Sequence, residues 1–477
     1  MKKRIGQIML CFLVICGLLA GCGKTQEDAP DGQAAPAAED SASTDQADTS
    51  NEEATADAAS GGKVYFLNTK GTVSEQLEAI AKEYTEKTGV EVKVVTAASG
   101  TYTQTLKSEL AKKDAPTLFI IDGPVGYKMW KDYCLDLSDT KLYKEWLIDD
   151  SMAVKGDDGG VYGIPYVIEG YGVLYNNRIM QEYFALPDKA VEISSVEEID
   201  SFDKWKSVVE DMTAHKDELG IKGVFACTSM GEGAAWRWTN HLSSVPLYYE
   251  YQDKGIVDSD RVELTYSENF KNVFDLYLNN SSVEPSMLGS KQVADSMAEF
   301  ALEEVAMAQN GNWGWKQIAP VEGIKIKEED IKFMPIYIGV EGEAKQGISI
   351  GTENNYAVNS QASEADQKAT IEFLEWLYSS EEGKKHVTED LGFISPFNTF
   401  GEGETPSDPL AKEVVRYLND SNYYTVNWTF VTFPGDNFKN ALTSAMFEYT
   451  QGREDWNYVQ KTFVDSWAME KDLLKEQ

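Results

Sequence analysis

From Val64 to Ile121 the chain alternates short apolar runs with amphipathic ones, and this alternation restricts the available folds more than any other feature. Val64-Tyr65-Phe66-Leu67 reads as a buried strand ending in the turn Asn68-Thr69-Lys70-Gly71. A helix follows, with Ser74 as candidate N-cap, Leu77, Ile80, Ala81 and Tyr84 on one face, and Gly89 as its stop. Val92 to Val95 predicts a second strand, Leu106 and Leu110 mark another helix, and Leu118-Phe119-Ile120-Ile121 a third strand. Such alternation predicts an α/β sheet with helices on its faces. Ligands gather outside the carboxyl ends of strands in these sheets, which draws attention to Asn68, Lys70 and Asp122.

Upstream of Lys63 the composition changes. Lys2, Lys3 and Arg4 precede an apolar run from Ile5 to Leu19, too short to span a bilayer comfortably. Leu19-Ala20-Gly21-Cys22 then resembles a bacterial lipobox, so residues 1–21 read as a signal peptide and Cys22 as the lipidated first residue. From Gly23 to Gly62 there is no aromatic residue, and ten acids stand against one lysine. A segment of this kind buries too little apolar surface to offset its chain entropy, so 22–62 is expected to be a disordered acidic tether. The folded body begins near Lys63.

Lys and Arg number 43 against 79 Asp and Glu, a formal net charge of -36. That balance disfavours nucleic acid and charge-driven membrane adhesion. Three histidines, His215, His241 and His386, are scattered and read as surface or core residues rather than metal ligands. Cys134 and Cys227 are the cysteines of the folded part; they could pair as one disulfide, but lying far apart in sequence they read by default as two buried free thiols. No zinc-protease, nucleophile-elbow or phosphate-loop motif occurs, and Asp157-Asp158-Gly159-Gly160 lacks calcium-loop spacing. No cofactor or metal is expected. A carboxylate pair such as Asp122 and Glu169 would suit glycoside hydrolysis in principle, but nothing in the sequence sets their separation.

Several segments together resemble the extracellular solute-binding proteins of ABC importers, in the group of the maltose-binding type. They are Lys82-Glu83-Tyr84-Thr85-Glu86-Lys87-Thr88-Gly89-Val90, Gly160-Val161-Tyr162-Gly163-Ile164-Pro165-Tyr166, and Gly172-Val173-Leu174-Tyr175-Asn176-Asn177. Ala306-Met307-Ala308-Gln309-Asn310-Gly311-Asn312-Trp313, the run from Ala369 to Gly383, and Gly392-Phe393-Ile394-Ser395-Pro396 extend the match. The departures are Thr117, where the family usually has Asp, and Asn177, where it has Lys. The resemblance implies a periplasmic-binding-protein-like fold of class II type: two discontinuous α/β lobes with a ligand cleft between them. Residues 63–168 plus 346–395 would form lobe 1, and 169–345 plus 396–477 lobe 2. Chain crossings are expected near Tyr166–Glu169, Glu341–Gly347 and Ile394–Phe397. It also implies a monomeric, non-enzymatic receptor, lipid-anchored on the extracellular face of the cell membrane. Such a receptor captures a carbohydrate and delivers it to ABC permease subunits.

Sugars present C–H faces that stack on aromatic rings and hydroxyls that need fixed polar partners. Trp236-Arg237-Trp238 and Trp313-Gly314-Trp315 are Gly-flanked aromatic clusters of that kind, with Trp236 and Trp313 carried over from the family as stacking surfaces. Asp122 and Glu169 correspond to hydroxyl-binding acids, and Tyr166 and Tyr171 flank Glu169. Arg237, Trp238, Trp315, Asn68 and Lys70 complete the candidate set, against alternatives of a turn cap for Asp122 and a solvated hinge carboxylate for Glu169. Tyr356 reads as a packed strand residue. An aromatic-plus-carboxylate cage would also suit a polyamine or another cation.

Overall fold

The computed structural model describes residues 61–98, 100–231, 233–401 and 403–476. The signal-peptide and Cys22 readings, and nearly all of the tether, lie outside them. The chain first lays down β1 (Val64–Asn68), α1 (Ser74–Thr88), β2 (Val92–Thr96), α2 (Tyr102–Leu110), β3 (Leu118–Asp122) and α3 (Gly123–Trp130). The apolar stripe of α1 buries Leu77, Ile80, Ala81 and Tyr84, and Gly89 ends the helix at φ +74°. Ser74 is the first helical residue rather than the cap: its hydroxyl bonds the Gly71 carbonyl, and Val73 holds the cap position. Thr117, in place of the family's Asp, accepts from the Tyr65 N–H and bonds the Thr370 hydroxyl at 2.8 Å, tying β1 to the helix Glu364–Ser379.

After β4 (Val154–Lys155) and β5 (Val161–Pro165) the chain crosses into a second sheet. It builds β6 (Glu169–Asn176), β7 (Gly223–Phe225), β8 (Val305–Gly311), β9 (Ile331–Met334) and β10 (Gln346–Gly351) there. It then returns for β11 (Asn354–Val358) and crosses once more for β12 (Tyr424–Asn427). The first sheet runs β2-β1-β3-β11-β5-β4 and the second β12-β10-β6-β8-β7, with β9 also paired to β6. Both mix parallel and antiparallel neighbours.

Two of the expected boundaries move. Residues 346–351 pair with β6 and β12, so they belong to lobe 2, and the second crossing is Thr352-Glu353. A backbone crosses where its ladder partners change, and apolar patterning alone does not reveal that change. The third crossing lies beyond Ile394–Phe397: Phe397 is in the lobe-1 core, and Asn398 donates to the Trp146 carbonyl. The chain re-enters lobe 2 with the helix Pro409–Asn419, whose Leu410, Ala411 and Val414 are buried.

Each lobe has its own core. In lobe 1 Phe66, Tyr166, Tyr356, Tyr378 and Phe393 pack together, and Tyr356 sits in the sheet as expected. In lobe 2 Trp205, Trp238, Phe225 and Tyr277 form an edge-to-face cluster on one side of the sheet. Cys134 and Cys227 are separate buried thiols, and burial pushes the Cys134 thiol up to about 12.

Candidate ligand-binding cleft

The carboxyl end of β3 and the start of β11 meet because Asp122 pairs with Asn354 in the ladder. Two carboxylates, Asp122 and Glu353, thereby share one edge of lobe 1, and the Gly123 N–H donates to the Glu353 carbonyl at 3.1 Å. Asp122 does not cap α3; its Oδ1 accepts from Asn354 Nδ2 at 3.1 Å. Across the gap, the helix Asp436–Thr450 of lobe 2 brings Asp436 and Lys439. These four residues line a cavity of about 60 Å³ with Phe430, Val431 and Phe433. The Asp122 side chain still reaches solvent, while protein from both lobes surrounds it.

Desolvation and then the neighbouring Asp122 charge push the Glu353 carboxyl up to about 7. Asp122 is also raised, by desolvation first, with Lys439 and the Asn354 bond opposing. A carboxylate in this cleft is thus poised to hold a proton near neutrality.

A few residues away the lobes are tied directly. Lys70, in the turn after β1, donates to both carboxylate oxygens of Glu169, the first residue of β6, at 2.9 and 2.8 Å. Their side chains are only 15% and 8% exposed. Asn68 prepares this contact: its Oδ1 accepts from the Lys70 N–H, and its amide donates to the Lys70 carbonyl and the Thr96 hydroxyl. Lys70 and Glu169 border a second cavity of about 20 Å³ that also touches Asn312, Trp313, Trp315 and Phe393.

The lobe-2 wall is aromatic. The His241 ring stacks on Tyr171 at 4.1 Å and meets Trp236 at 5.0 Å, Trp313 at 5.3 Å and Phe430 at 5.4 Å. Trp236 and Trp313 stand 6.1 Å apart and are partly exposed. A short π-helix, Arg237–Leu242, brings Trp236 and His241 together although they are five residues apart. Gly311 lets Trp313 fold back over the end of its own strand, since a Cβ there would lie 2.2 Å from the indole. Trp428 completes the wall, 5.5 Å from Tyr171 and 4.9 Å from Phe430.

The sequence candidates therefore divide. Asp122, Lys70, Glu169 and Trp313 border the cavities between the lobes, and Trp236 lies beside Trp313. Tyr171 backs it from beneath His241, fully buried, with its hydroxyl on the His241 carbonyl. Trp315 bridges the small cavity and a separate groove of about 710 Å³ with Lys316, Thr388 and Asp408.

Four candidates are internal instead. Tyr166 is fully buried in the lobe-1 core with its hydroxyl on Asn68. Asn68 spends its amide on its own turn. Trp238 packs on Tyr277 and donates to the Ser229 carbonyl. Arg237 is 1% exposed and bonds Ser229, Ser296 and the Gln309 carbonyl. In each case a side chain read as free is turned inward, to partners in its own turn, a neighbouring loop, a helix or another strand. Glu353, Lys439, Asp436, His241, Trp428 and Phe430 were missed. Most carry no local motif; the exception is the apolar run at Trp428-Thr429-Phe430.

Among the described residues no group of His, Cys, Asp or Glu is placed to hold a metal ion. None of their helices is long and apolar enough to cross a membrane.

Two lobes of this construction, with polar and aromatic walls facing one another, define a two-lobed α/β binding protein. The family model described as "Bacterial extracellular solute-binding protein" matches residues 79–412, and the chain belongs to that family. Among solved structures it is similar to a "Chitin oligosaccharide binding protein", with 17% identity, TM-score 0.67, and 86% of this chain and 98% of that one covered. It is also similar to the binding protein RafE in complex with raffinose, with 18% identity, TM-score 0.63, and 86% and 99% covered. A Bacillus licheniformis sugar transporter in complex with stachyose aligns with 16% identity, TM-score 0.59, and 86% and 100% covered. No curated protein matches the chain by sequence. The family is one of binding proteins, and its members act outside the cytoplasm.

Proposed function

We propose that this protein is a lipid-anchored extracellular receptor that captures a carbohydrate, an oligosaccharide by preference, and presents it to an ABC permease. The observation that carries the reading is the opposition of two walls. The partly exposed indoles of Trp236 and Trp313 lie together on lobe 2, Trp313 borders one inter-lobe cavity with Lys70 and Glu169, and the lobe-1 carboxylates Asp122 and Glu353 border another. Aromatic faces hold the C–H surface of a pyranose while carboxylates accept from its hydroxyls. The similar structures named for chitin oligosaccharide, raffinose and stachyose support this choice of ligand.

Closure supplies the mechanism. The inter-lobe cavities hold about 60 and 20 Å³, against roughly 300 Å³ or more for ordinary ligand pockets. A sugar ring therefore enters only when the lobes separate, and it favours closure by touching both walls at once. The closed form is what the permease would recognise, and Cys22 would keep the receptor at the membrane.

A thermal-shift screen tests the reading. A neutral oligosaccharide at a hundred times its dissociation constant is expected to stabilise the protein by about 2.7 kcal/mol and to be recovered intact. Shortening of the sugar would make the protein a hydrolase, and stabilisation by spermidine alone would make it a cation receptor.

A further inference from the structure

Three buried polar side chains on the lobe-2 wall have bonds left to make. Among the described residues, His241 Nδ1, both amide atoms of Gln309 and Trp428 Nε1 have no hydrogen-bond partner, although the residues are 5%, 2% and 7% exposed. Buried polar groups without partners are rare, and each calls for a ligand or an ordered water.

The three lie on or against one face of the second sheet. Gln309 lies opposite Val173, and Gly311 opposite Tyr171, so Gln309 shares the sheet face that carries Tyr171 and is covered by Trp313. His241 stacks on that same Tyr171, and Trp428 lies 6.4 Å from the His241 ring. The partly exposed indoles of Trp236 and Trp313 flank His241.

The chemistry of the set is neutral. The Gln309 amide offers two donors and one acceptor, the indole of Trp428 one donor, and an uncharged imidazole one of each. Burial and the nearby Arg237 push the His241 imidazole down to about 3, so it carries no charge at physiological pH. Arg237 is a buried cation, bonded to the Gln309 carbonyl and, among the described residues, without a carboxylate partner. It opposes entry of an ammonium group. The carboxylates Asp122 and Glu353 oppose an anion from the other wall. Hydroxyls, which donate and accept without charge, fit both constraints.

We propose that Gln309, His241 and Trp428 form a polar subsite that binds the hydroxyls of one uncharged sugar ring stacked against Trp236 and Trp313. The proposal rests on the carbohydrate reading above and adds three specificity-determining residues to it.

The test is titration calorimetry. Neutral mono- and oligosaccharides, including raffinose, stachyose and chitin oligosaccharides, are first screened against the wild-type protein. The tightest is then titrated into Gln309→Leu, His241→Phe and Trp428→Phe. Gln309→Leu and His241→Phe keep roughly the bulk of the side chain, Trp428→Phe keeps an aromatic ring but is smaller, and each removes the unpaired atoms. Affinity is expected to fall about tenfold per lost hydrogen bond. Melting temperature without sugar is expected to hold or rise in Gln309→Leu and His241→Phe, because an unsatisfied buried group has been removed, and to fall in Trp428→Phe, which also leaves a cavity. Deoxy analogues of the same sugar identify the partner: one of them should bind Gln309→Leu as well as its parent does.

Wild-type affinity in Gln309→Leu and Trp428→Phe would show that these atoms bind water only and would overturn the subsite alone. Tighter binding of a glucosamine or glucuronate oligosaccharide would overturn its preference for an uncharged ring. Failure of the wild-type protein to bind any sugar of the panel would overturn the carbohydrate reading itself. Should His241→Phe fail to fold, the other two variants decide the question.

Discussion

Glu353 shows how one residue acquires its properties from elsewhere in the chain. In sequence it is an unremarked acid before Asn354-Asn355-Tyr356. In the structure burial and Asp122 raise its carboxyl from the ordinary 4.5 to about 7. The folded protein therefore binds this proton more tightly than the unfolded chain does. Its contribution to stability is complete below about pH 4.5 and is lost as pH rises through about 7. Melting temperature measured across that window is expected to fall more steeply in the wild type than in Glu353→Gln; parallel curves would remove Glu353 as the cause. Trp313 is one of the two partly exposed indoles of the proposed site. Trp313→Ala is expected to weaken sugar binding by on the order of 2 kcal/mol without unfolding the protein, as read by calorimetry beside a denaturation curve.

At the scale of elements, local geometry aims these side chains. The Gly-x-Trp sequence at Gly311 is a packing device, because only glycine leaves room for Trp313 over the strand end. Gly311→Ala is expected to displace the indole and lower sugar affinity in the same direction as Trp313→Ala. The π-turn after Trp236 explains why His241 was not read as a neighbour of Trp236: a helical period of 3.6 places residues five apart on different faces. Loops are fixed by similar means. Glu343 is 4% exposed and accepts from the backbone N–H groups of Phe202, Ile338 and Gly339 at 2.7, 2.9 and 2.9 Å. Glu343→Ala would strand these donors, and a loss of about 3 kcal/mol is expected in chemical denaturation.

For the whole molecule the decisive feature is the contact between lobes. The Lys70–Glu169 pair spans them with little access to water, so removing one member leaves a poorly solvated charge behind. Lys70→Met is therefore expected to shift the ligand-free protein toward open lobes, seen as a larger radius of gyration in small-angle X-ray scattering. An unchanged radius would mean that the pair does not govern closure. Opposing pairs such as this one suit a receptor that must reopen, since about 5.5 kcal/mol of differential affinity carries a two-state equilibrium from one side to the other.

Much of this was legible in the residues alone. Apolar periodicity determined α1 and the first three strands, because burying a face imposes a local repeat of 3.6 or 2. Ordered motifs from Lys82 to Pro396 pointed to a two-lobed receptor, and the Gly-flanked tryptophans to its stacking wall. Tertiary structure alone decided where the second and third crossings fall, since ladder partners lie far apart in sequence. It alone sent Tyr166, Asn68, Trp238 and Arg237 inward, brought Glu353 to an inter-lobe cavity, and set His241, Gln309 and Trp428 on or against the sheet face that carries Tyr171. A side chain's partners are set by strands that meet only when the sheets assemble, and no repeat along the chain records that meeting.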